Sequence, residues 1–126
     1  MIIDRIDHIV LTVQNIEKTV EFYTNVLGMN VVEFSQGRKA LTFGNQKINL
    51  HQKGKEFEPK AHIPTSGSID LCLIASTDIR QVKEELKDKG IEIIQDIVER
   101  TGAIGNIKSI YIRDPDKNLI ELSNYE

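Results

Sequence analysis

Two histidines and two acidic residues of this chain have the side chains that bind divalent metals or move protons. His8 and Asp70 each lie in a β-branched segment, and His51 and Glu121 lie in later segments of alternating apolar and polar residues. His8, His51 and Glu121 together would make a two-histidine, one-carboxylate set, which suits Fe(II) and also Zn, Mn or Ni. The simpler alternative is a hydrogen-bonded structural pair of His8 and Glu121, with His51 at the surface.

Period-two alternation predicts which face of a sheet these side chains occupy. The apolar positions of each strand are expected to pack on a helix, so the polar positions between them point to the opposite face. A register error of one residue would invert this assignment. The residues expected on the face away from the helix are His8, Asn49, His51, Asp70, Cys72, Ser109, Tyr111, Arg113 and Glu121.

An internal repeat supplies the elements that position these residues. A strand followed by a helical stretch occurs twice, ending first at Gly28 and then at Gly90. The spacing is the same, since 20 positions separate His8 from Gly28 and Asp70 from Gly90. Such a repeat predicts architecture directly. We expect an α+β fold of two tandem βαβββ modules, 1–53 and 68–126, joined by a connector over 54–67 within one domain spanning 1–126.

The elements follow from periodicity and from turn residues. Strands are predicted over 6–13, 31–35, 39–43, 47–52, 69–76, 92–98, 107–113 and 119–123. Asn15 should cap the first helix, whose apolar stripe is Ile16, Val20, Tyr23 and Leu27, and Thr77 or Asp78 should begin the second, whose stripe is Ile79, Val82 and Leu86. The segment 100–106 is expected to be a loop, either a hinged lid or a turn, and 114–118 a turn held by Asp114 and Asn118.

Composition restricts the function classes. The 126 residues are 40% hydrophobic and 28% charged with a net charge of −3, which provides no basic field for nucleic acid. The single cysteine, Cys72, excludes an internal disulfide and suggests a reducing compartment. No apolar stretch approaches a membrane span, so a cytoplasmic protein is expected. Modules of this size are marginal alone, and exposed sheet edges favour pairing, so a homodimer is expected.

Several segments resemble the vicinal-oxygen-chelate superfamily, which includes glyoxalase I, fosfomycin-resistance transferases, extradiol dioxygenases and bleomycin-binding proteins. The segments that carry this resemblance are Asp7–Val13, Phe22–Met29 and Tyr111–Leu122. Others are similar to a glyoxalase-domain-containing subgroup labelled virulence- or dioxygenase-related, namely Arg38–Leu41, Asn49–His51, Gly54–Lys60, Arg100–Ala103 and Ser123–Tyr125.

The resemblance implies a cup-shaped, glyoxalase-like mixed sheet with helices on the outer face and a divalent metal (Fe, Mn, Ni or Zn) bound by first and fourth strands. His8 matches the first-strand histidine and Glu121 the last-strand glutamate. A glyoxalase-I-like site would have a carboxylate near Asn49, where His51 is the candidate replacement. It would also have a histidine near Asp70, which either replaces that ligand or orients a neighbour.

The resemblance also implies a function. We expect a metal-dependent enzyme acting on a small molecule with adjacent oxygens, by lyase, isomerase or dioxygenase chemistry. Glu121 and Asp70 are the candidate bases. Substrate contacts are expected from Tyr111, Arg113 and Asn49, although cross-strand packing for Tyr111 and a salt bridge for Arg113 are the alternatives.

Two other functions remain open. A non-catalytic protein that sequesters a small molecule, as bleomycin-resistance proteins do, is the main alternative, and a regulatory module acting through a partner surface is another. Module pairing within one chain and swapping between two chains also both remain possible.

Overall fold

Each half of the chain folds as a strand, a helix and three further strands, as the repeat predicts. The computed structural model describes residues 1–126, which form two compact units, Met1–Ser66 and Gly67–Glu126. Residues 54–66 of the predicted connector therefore belong to the first unit. Neither helix has the length and apolar character needed to cross a membrane.

The first unit is a four-stranded mixed sheet with one helix. Its elements are β1 (His8–Val13), α1 (Ile16–Asn25), β2 (Asn30–Phe34), β3 (Arg38–Phe43) and β4 (Gln46–Gln52). The strand order is β1-β4-β3-β2, with β1 parallel to β4 and the other pairs antiparallel. The core is formed by Leu11, Val13, Tyr23, Met29, Ala40, Leu41, Ile48 and Leu50.

The second unit repeats this plan. Its elements are β5 (Asp70–Ile74), α2 (Ile79–Asp88), β6 (Gln95–Thr101), β7 (Asn106–Arg113) and β8 (Leu119–Tyr125). The strand order is β5-β8-β7-β6, with β5 parallel to β8. The core is formed by Ile79, Val82, Leu86, Ile107, Ile110, Ile112, Ile120 and Leu122. The α+β class and the two βαβββ modules are confirmed.

Strand register confirms the predicted faces within each unit. In the first, Asn49 pairs with Val10 and His51 with Thr12, which places both on the same face as His8. In the second, Glu121 pairs with both Cys72 and Tyr111. We call the sheet face opposite the helix the open face of each unit.

The same device anchors both helices. Gln52 at the end of β4 accepts a hydrogen bond from the Ile16 amide through Oε1 (3.3 Å) and donates through Nε2 to the Gln14 carbonyl (2.6 Å). Asn124 near the end of β8 accepts from the Ile79 amide (2.6 Å) and donates to the Ala75 and Thr77 carbonyls (3.0 and 2.9 Å). Each side chain ties a helix N-terminus to the last strand of its sheet.

Both helices begin at the predicted caps, but the first buries only part of its predicted stripe. Asn15 accepts from the Lys18 amide, and Asp78, rather than Thr77, accepts from the Arg80 amide. The second stripe is buried as predicted, whereas in α1 the fully buried side chains are Thr19 and Tyr23. Ile16, Val20 and Leu27 remain partly exposed.

The predicted boundaries of several strands and one loop were wrong. β1 begins at His8 instead of residue 6, and β6 begins at Gln95 instead of residue 92 and continues to Thr101. The expected loop 100–106 is therefore a short turn between paired strands. The Gly102 amide donates to the Gly105 carbonyl (2.8 Å), and a Cβ on Gly102 would lie 2.7 Å from the Tyr125 hydroxyl. This packing explains glycine at residue 102 and removes the basis for a hinged lid.

The turn before β8 is a buried polar network. Asp114 accepts from the amides of Asp116 (2.9 Å) and Asn118 (3.0 Å), as the turn residues predict. Asn118 is fully buried, donates to Asp114 (2.8 Å) and accepts from the Ile69 amide (2.9 Å). The turn therefore joins the start of β5 to the start of β8 and sets the register that places Cys72 beside Glu121.

Candidate functional site

His8 lies on the open face of the first unit with one ring nitrogen already engaged. Its Nδ1 donates to Asp7 Oδ1 at 2.7 Å. This hydrogen bond, more than the nearby Lys47 charge, lowers the pKa of the Asp7 carboxyl. A carboxylate on one ring nitrogen fixes the tautomer and directs the other nitrogen toward a ligand. Nε2 of His8 is thus the atom available to a metal.

His51 lies on the same face in an apolar and cationic environment. The residue is 8% exposed, and its ring meets the Phe57 ring edge-to-face with centroids 5.7 Å apart. Burial, followed by the positive charge of Arg38, lowers the pKa of His51. The imidazole is therefore neutral near pH 7, which is the form that coordinates metals.

Asn49 and Arg38 both carry buried atoms without hydrogen-bond partners. They are Oδ1 of Asn49 and Nε of Arg38. Buried polar atoms are almost always hydrogen-bonded. Lys39 of β3 pairs with Leu50 of β4, so Arg38 lies across the strand pair from His51. The two unpaired atoms therefore belong to neighbours of His51 on the same sheet face.

Glu121 is the centre of a polar cluster on the open face of the second unit. The Ser109 hydroxyl donates to Glu121 Oε2 at 2.5 Å, and the Ser123 hydroxyl approaches the same oxygen at 3.5 Å. The two serine oxygens lie 2.7 Å apart and are buried. The serines hold the Glu121 carboxylate in one orientation, which a metal ligand or a base requires.

Tyr111 lies across the strand pair from Glu121, on the predicted sheet face. Its hydroxyl accepts from Arg100 Nε at 3.0 Å. Burial raises the pKa of the Tyr111 phenol, and the Glu121 charge raises it further. Tyr111 therefore stays protonated near pH 7 and can donate a hydrogen bond to a bound oxygen.

Cys72 is paired with Glu121 in the sheet but lacks the features of a nucleophile. Its Sγ lies 3.3 Å from the Ser123 hydroxyl. Burial, and to a smaller extent the Glu121 charge, raises the pKa of the thiol. A protonated thiol is a poor nucleophile.

Asp70 and Arg113 occupy the rim of the second unit's open face. Asp70 is exposed at the start of β5, on the same face as Glu121. Arg113 is exposed, and its Nη1 donates to the Lys117 carbonyl at 3.2 Å, so it supports the turn before β8. Arg113 takes part in none of the ion pairs of the chain, so the salt bridge considered for it is not formed.

The candidate residues are distributed over two open faces. The first unit places His8, Asn49 and His51 on one face, and the second places Asp70, Tyr111 and Glu121 on another. The chain contains no group of three or more His, Cys, Asp or Glu side chains close enough together to hold a metal ion.

Sequence reasoning missed the supporting residues. Asp7 precedes His8 directly, and a carboxylate adjacent to a candidate ligand was a usable signal. Phe57 lies in the segment treated as a connector, where no periodicity marked it. Ser109 was assigned to the correct face, but its partner Glu121 is set by the pairing of β7 with β8.

Comparison with known proteins identifies the family. The model of the Glyoxalase/Bleomycin resistance protein/Dioxygenase superfamily matches residues 5–122. The virulence protein STM3117 of Salmonella typhimurium is 63% identical over 125 residues, covering 99% of this chain and 87% of that protein. Its crystal structure matches with a TM-score of 0.99 and covers 100% of both chains.

Two further relatives have other names. The glyoxalase domain-containing protein RDO1 of Mycosarcoma maydis is 58% identical over 121 residues, covering 96% of this chain and 68% of RDO1. The metallothiol transferase FosB of Staphylococcus haemolyticus is 28% identical over 117 residues, covering 93% of this chain and 81% of FosB. The resemblance inferred from the sequence is confirmed, and the chain belongs to the Glyoxalase/Bleomycin resistance protein/Dioxygenase superfamily.

Proposed function

We propose that this protein is a divalent-metal-dependent enzyme acting on a small molecule with adjacent oxygens, by lyase, isomerase or dioxygenase chemistry. The superfamily contains enzymes, and the relative FosB is named a metallothiol transferase. The observation that carries the proposal is the hydrogen bond from His8 Nδ1 to Asp7. Metal-binding histidines typically donate their second nitrogen to a carboxylate in this way.

The proposed metal ligands are His8, His51 and Glu121. His8 offers Nε2, His51 offers a neutral imidazole, and Glu121 offers a carboxylate held by two serines. This donor set suits Fe(II), Zn, Mn or Ni. Each of these side chains therefore offers a donor atom that a divalent ion accepts.

A bound divalent ion would supply Lewis-acid polarisation of two substrate oxygens. The protein's residues would do the rest. Tyr111, protonated near pH 7, would donate to a substrate oxygen, and Asn49 would accept from a substrate hydroxyl. Glu121 would take a proton from the substrate, or Asp70 would do so if Glu121 serves as a ligand.

The alternative function is non-catalytic binding of a small molecule. The observation that favours it is that Asn49 of the first unit and Glu121 of the second occupy equivalent positions of the repeat. Asn49 pairs with Val10 as Glu121 pairs with Cys72, so the first unit has a neutral amide where the second has a carboxylate. A site with fewer anionic ligands binds metal less strongly.

Metal content tests the two functions. The untagged protein, purified without chelator, would be analysed for Fe, Mn, Ni, Zn and Co beside His8→Ala and the exposed-residue control His62→Ala. We expect about one metal per chain in the wild type and in His62→Ala, and a loss in His8→Ala. If no added ion binds the wild type, the enzyme proposal fails and the binding function is favoured.

We also propose a homodimer that works in the cytoplasm. Apolar side chains of the first unit remain exposed on the N-terminal segment and on β1, including Ile2, Ile3, Ile6 and Val10. Burying such side chains against a second copy would be favourable. Light scattering at micromolar concentration would overturn the dimer if it gave the mass of one chain.

A further inference from the structure

Arg38 carries a positive charge that the chain does not neutralise. The guanidinium lies over the Phe57 ring, with Cζ 4.0 Å from the ring centroid, and Nε is buried without a hydrogen-bond partner. Arg38 takes part in none of the ion pairs of the chain. A half-buried cation without an acceptor is costly, and the stacking on Phe57 holds it in place.

The neighbouring carboxylates are already engaged. Glu56 accepts from the Gly54 amide at 3.0 Å. The hydrogen bond from its own backbone amide, followed by that from Gly54, lowers the pKa of its carboxyl. Glu58 pairs with Lys60 at 3.3 Å. No carboxylate of this segment therefore pairs with Arg38, and the Arg38 charge lowers the pKa of His51 more than the Glu56 charge raises it.

The position of Arg38 links it to the proposed active site. It begins β3 on the same face as Asn49 and His51, one residue beyond the pairing of Lys39 with Leu50. The residues with the unpaired donor (Arg38) and the unpaired acceptor (Asn49) are thus both neighbours of His51, a proposed metal ligand. A molecule that satisfies both must present an anionic acceptor and a hydroxyl donor.

We propose that Arg38, seated on Phe57, binds the carboxylate of the substrate while Asn49 accepts a hydrogen bond from a hydroxyl group of the same molecule. The planar fork of a guanidinium matches a carboxylate with two parallel hydrogen bonds. The substrate class is then a carboxylic acid with adjacent oxygens. This inference rests on the proposed function, whose site it completes with a specificity contact.

The first test uses the metal-free protein. Benzoate and its neutral counterpart benzyl alcohol would be titrated into 15N-labelled wild type, Arg38→Gln, Arg38→Lys and the exposed control Arg5→Gln. The Nε–Hε resonance of Arg38 reports the contact directly. We expect benzoate, but not benzyl alcohol, to shift this resonance, and the benzoate Kd to rise at least tenfold in Arg38→Gln while Arg5→Gln stays unchanged.

Arg38→Lys keeps the charge but loses the planar fork, so its benzoate Kd should lie between those of the wild type and Arg38→Gln. If Arg38→Gln does not fold, Arg38→Lys provides the test, and we expect its benzoate affinity to be at least threefold weaker than that of the wild type. Equal benzoate affinity in the wild type and in a folded Arg38 variant would overturn the proposal, as would a shift of equal size with benzyl alcohol.

The second test uses the zinc-loaded protein and separates the two proposals. We expect 3,4-dihydroxybenzoate to bind at least tenfold more tightly than catechol, and Arg38→Gln to abolish this difference while catechol affinity stays the same. Benzoate binding that depends on Arg38 in a protein that takes up no metal would support the Arg38 assignment and overturn the metal function. Metal-dependent catechol binding with no preference for the acid would overturn the Arg38 assignment and leave the metal function supported.

Discussion

Ser109 on β7 donates a 2.5 Å hydrogen bond to Oε2 of Glu121 on β8. The contact exists because Ser109 pairs with Ser123 and Tyr111 with Glu121 in the antiparallel register, so the serine lies diagonally across from the carboxylate on the open face. Diagonal neighbours on one sheet face are within side-chain reach. A carboxylate held in this way loses little rotamer entropy when it binds a cation.

Removing the Ser109 hydroxyl should weaken metal binding. Because partners that orient a metal ligand typically contribute 10- to 100-fold to affinity, we expect Ser109→Ala to raise the Kd for zinc by about tenfold or more. Isothermal titration calorimetry with a competing chelator would measure it. Ser76→Ala, on an exposed residue outside the cluster, should bind like the wild type, and an unchanged Kd in Ser109→Ala would show that the serine does not support a ligand.

Asp7→Asn should also weaken metal binding, through His8. The amide still accepts from Nδ1 but lacks the charge that strengthens the imidazole as a donor, so we expect a loss of about tenfold in zinc affinity. The neighbouring Asp4, which pairs with Arg5 at the surface, provides the control Asp4→Asn. Identical affinities for both variants would contradict the orienting role of Asp7.

His51 should make the stability of the metal-free protein depend on pH. Burial lowers its pKa below the ordinary value of 6.5, so between these two values the unfolded state binds more protons than the folded state. Stability is then lost as pH falls through 6.5 and levels off below the folded pKa. Urea unfolding followed by circular dichroism between pH 8 and pH 5 should show this decrease.

The matched variants for this measurement are His51→Asn and His62→Asn. The first should remove most of the decrease between pH 7 and pH 5, and the second, at an exposed position, should keep it. A wild-type slope that survives in His51→Asn would assign the pH dependence to other groups.

Asn124→Ala and Gln52→Ala should destabilise their own units. Each removes a side chain that joins a helix N-terminus to the last strand. Loss of such partly buried hydrogen bonds costs about 1–3 kcal/mol. Hydrogen exchange would locate the effect, with faster exchange in α2 for Asn124→Ala and in α1 for Gln52→Ala. Gln81→Ala, at an exposed position of α2, is the control, and uniform exchange changes across both units would contradict the local role.

The sequence predicted the fold class and much of the candidate site. A repeat with a 20-residue spacing predicted the two modules, and the period-two alternation in β4 and β8 placed Asn49, His51 and Glu121 on the open faces. These features are local, because side-chain alternation follows from the geometry of a single strand. The resemblance of several segments then predicted the superfamily.

The sequence did not predict features that arise from contacts between distant residues. In α1, Thr19 is buried beside Tyr23 while Ile16, Val20 and Leu27 stay partly exposed, because packing against the sheet selects the buried face. β6 extends to Thr101 because it pairs with β7 as far as Asn106.

By itself, the sequence determined which residues have side chains able to bind a metal or move a proton and which sheet face each occupies, because both depend on residue type and strand periodicity. Only the tertiary structure decided what each side chain touches. Pairing of β7 with β8 brings Ser109 to Glu121, and the segment after β4 places the Phe57 ring against both Arg38 and His51. Such contacts join residues distant along the chain, and their distances are set by the packing of whole elements.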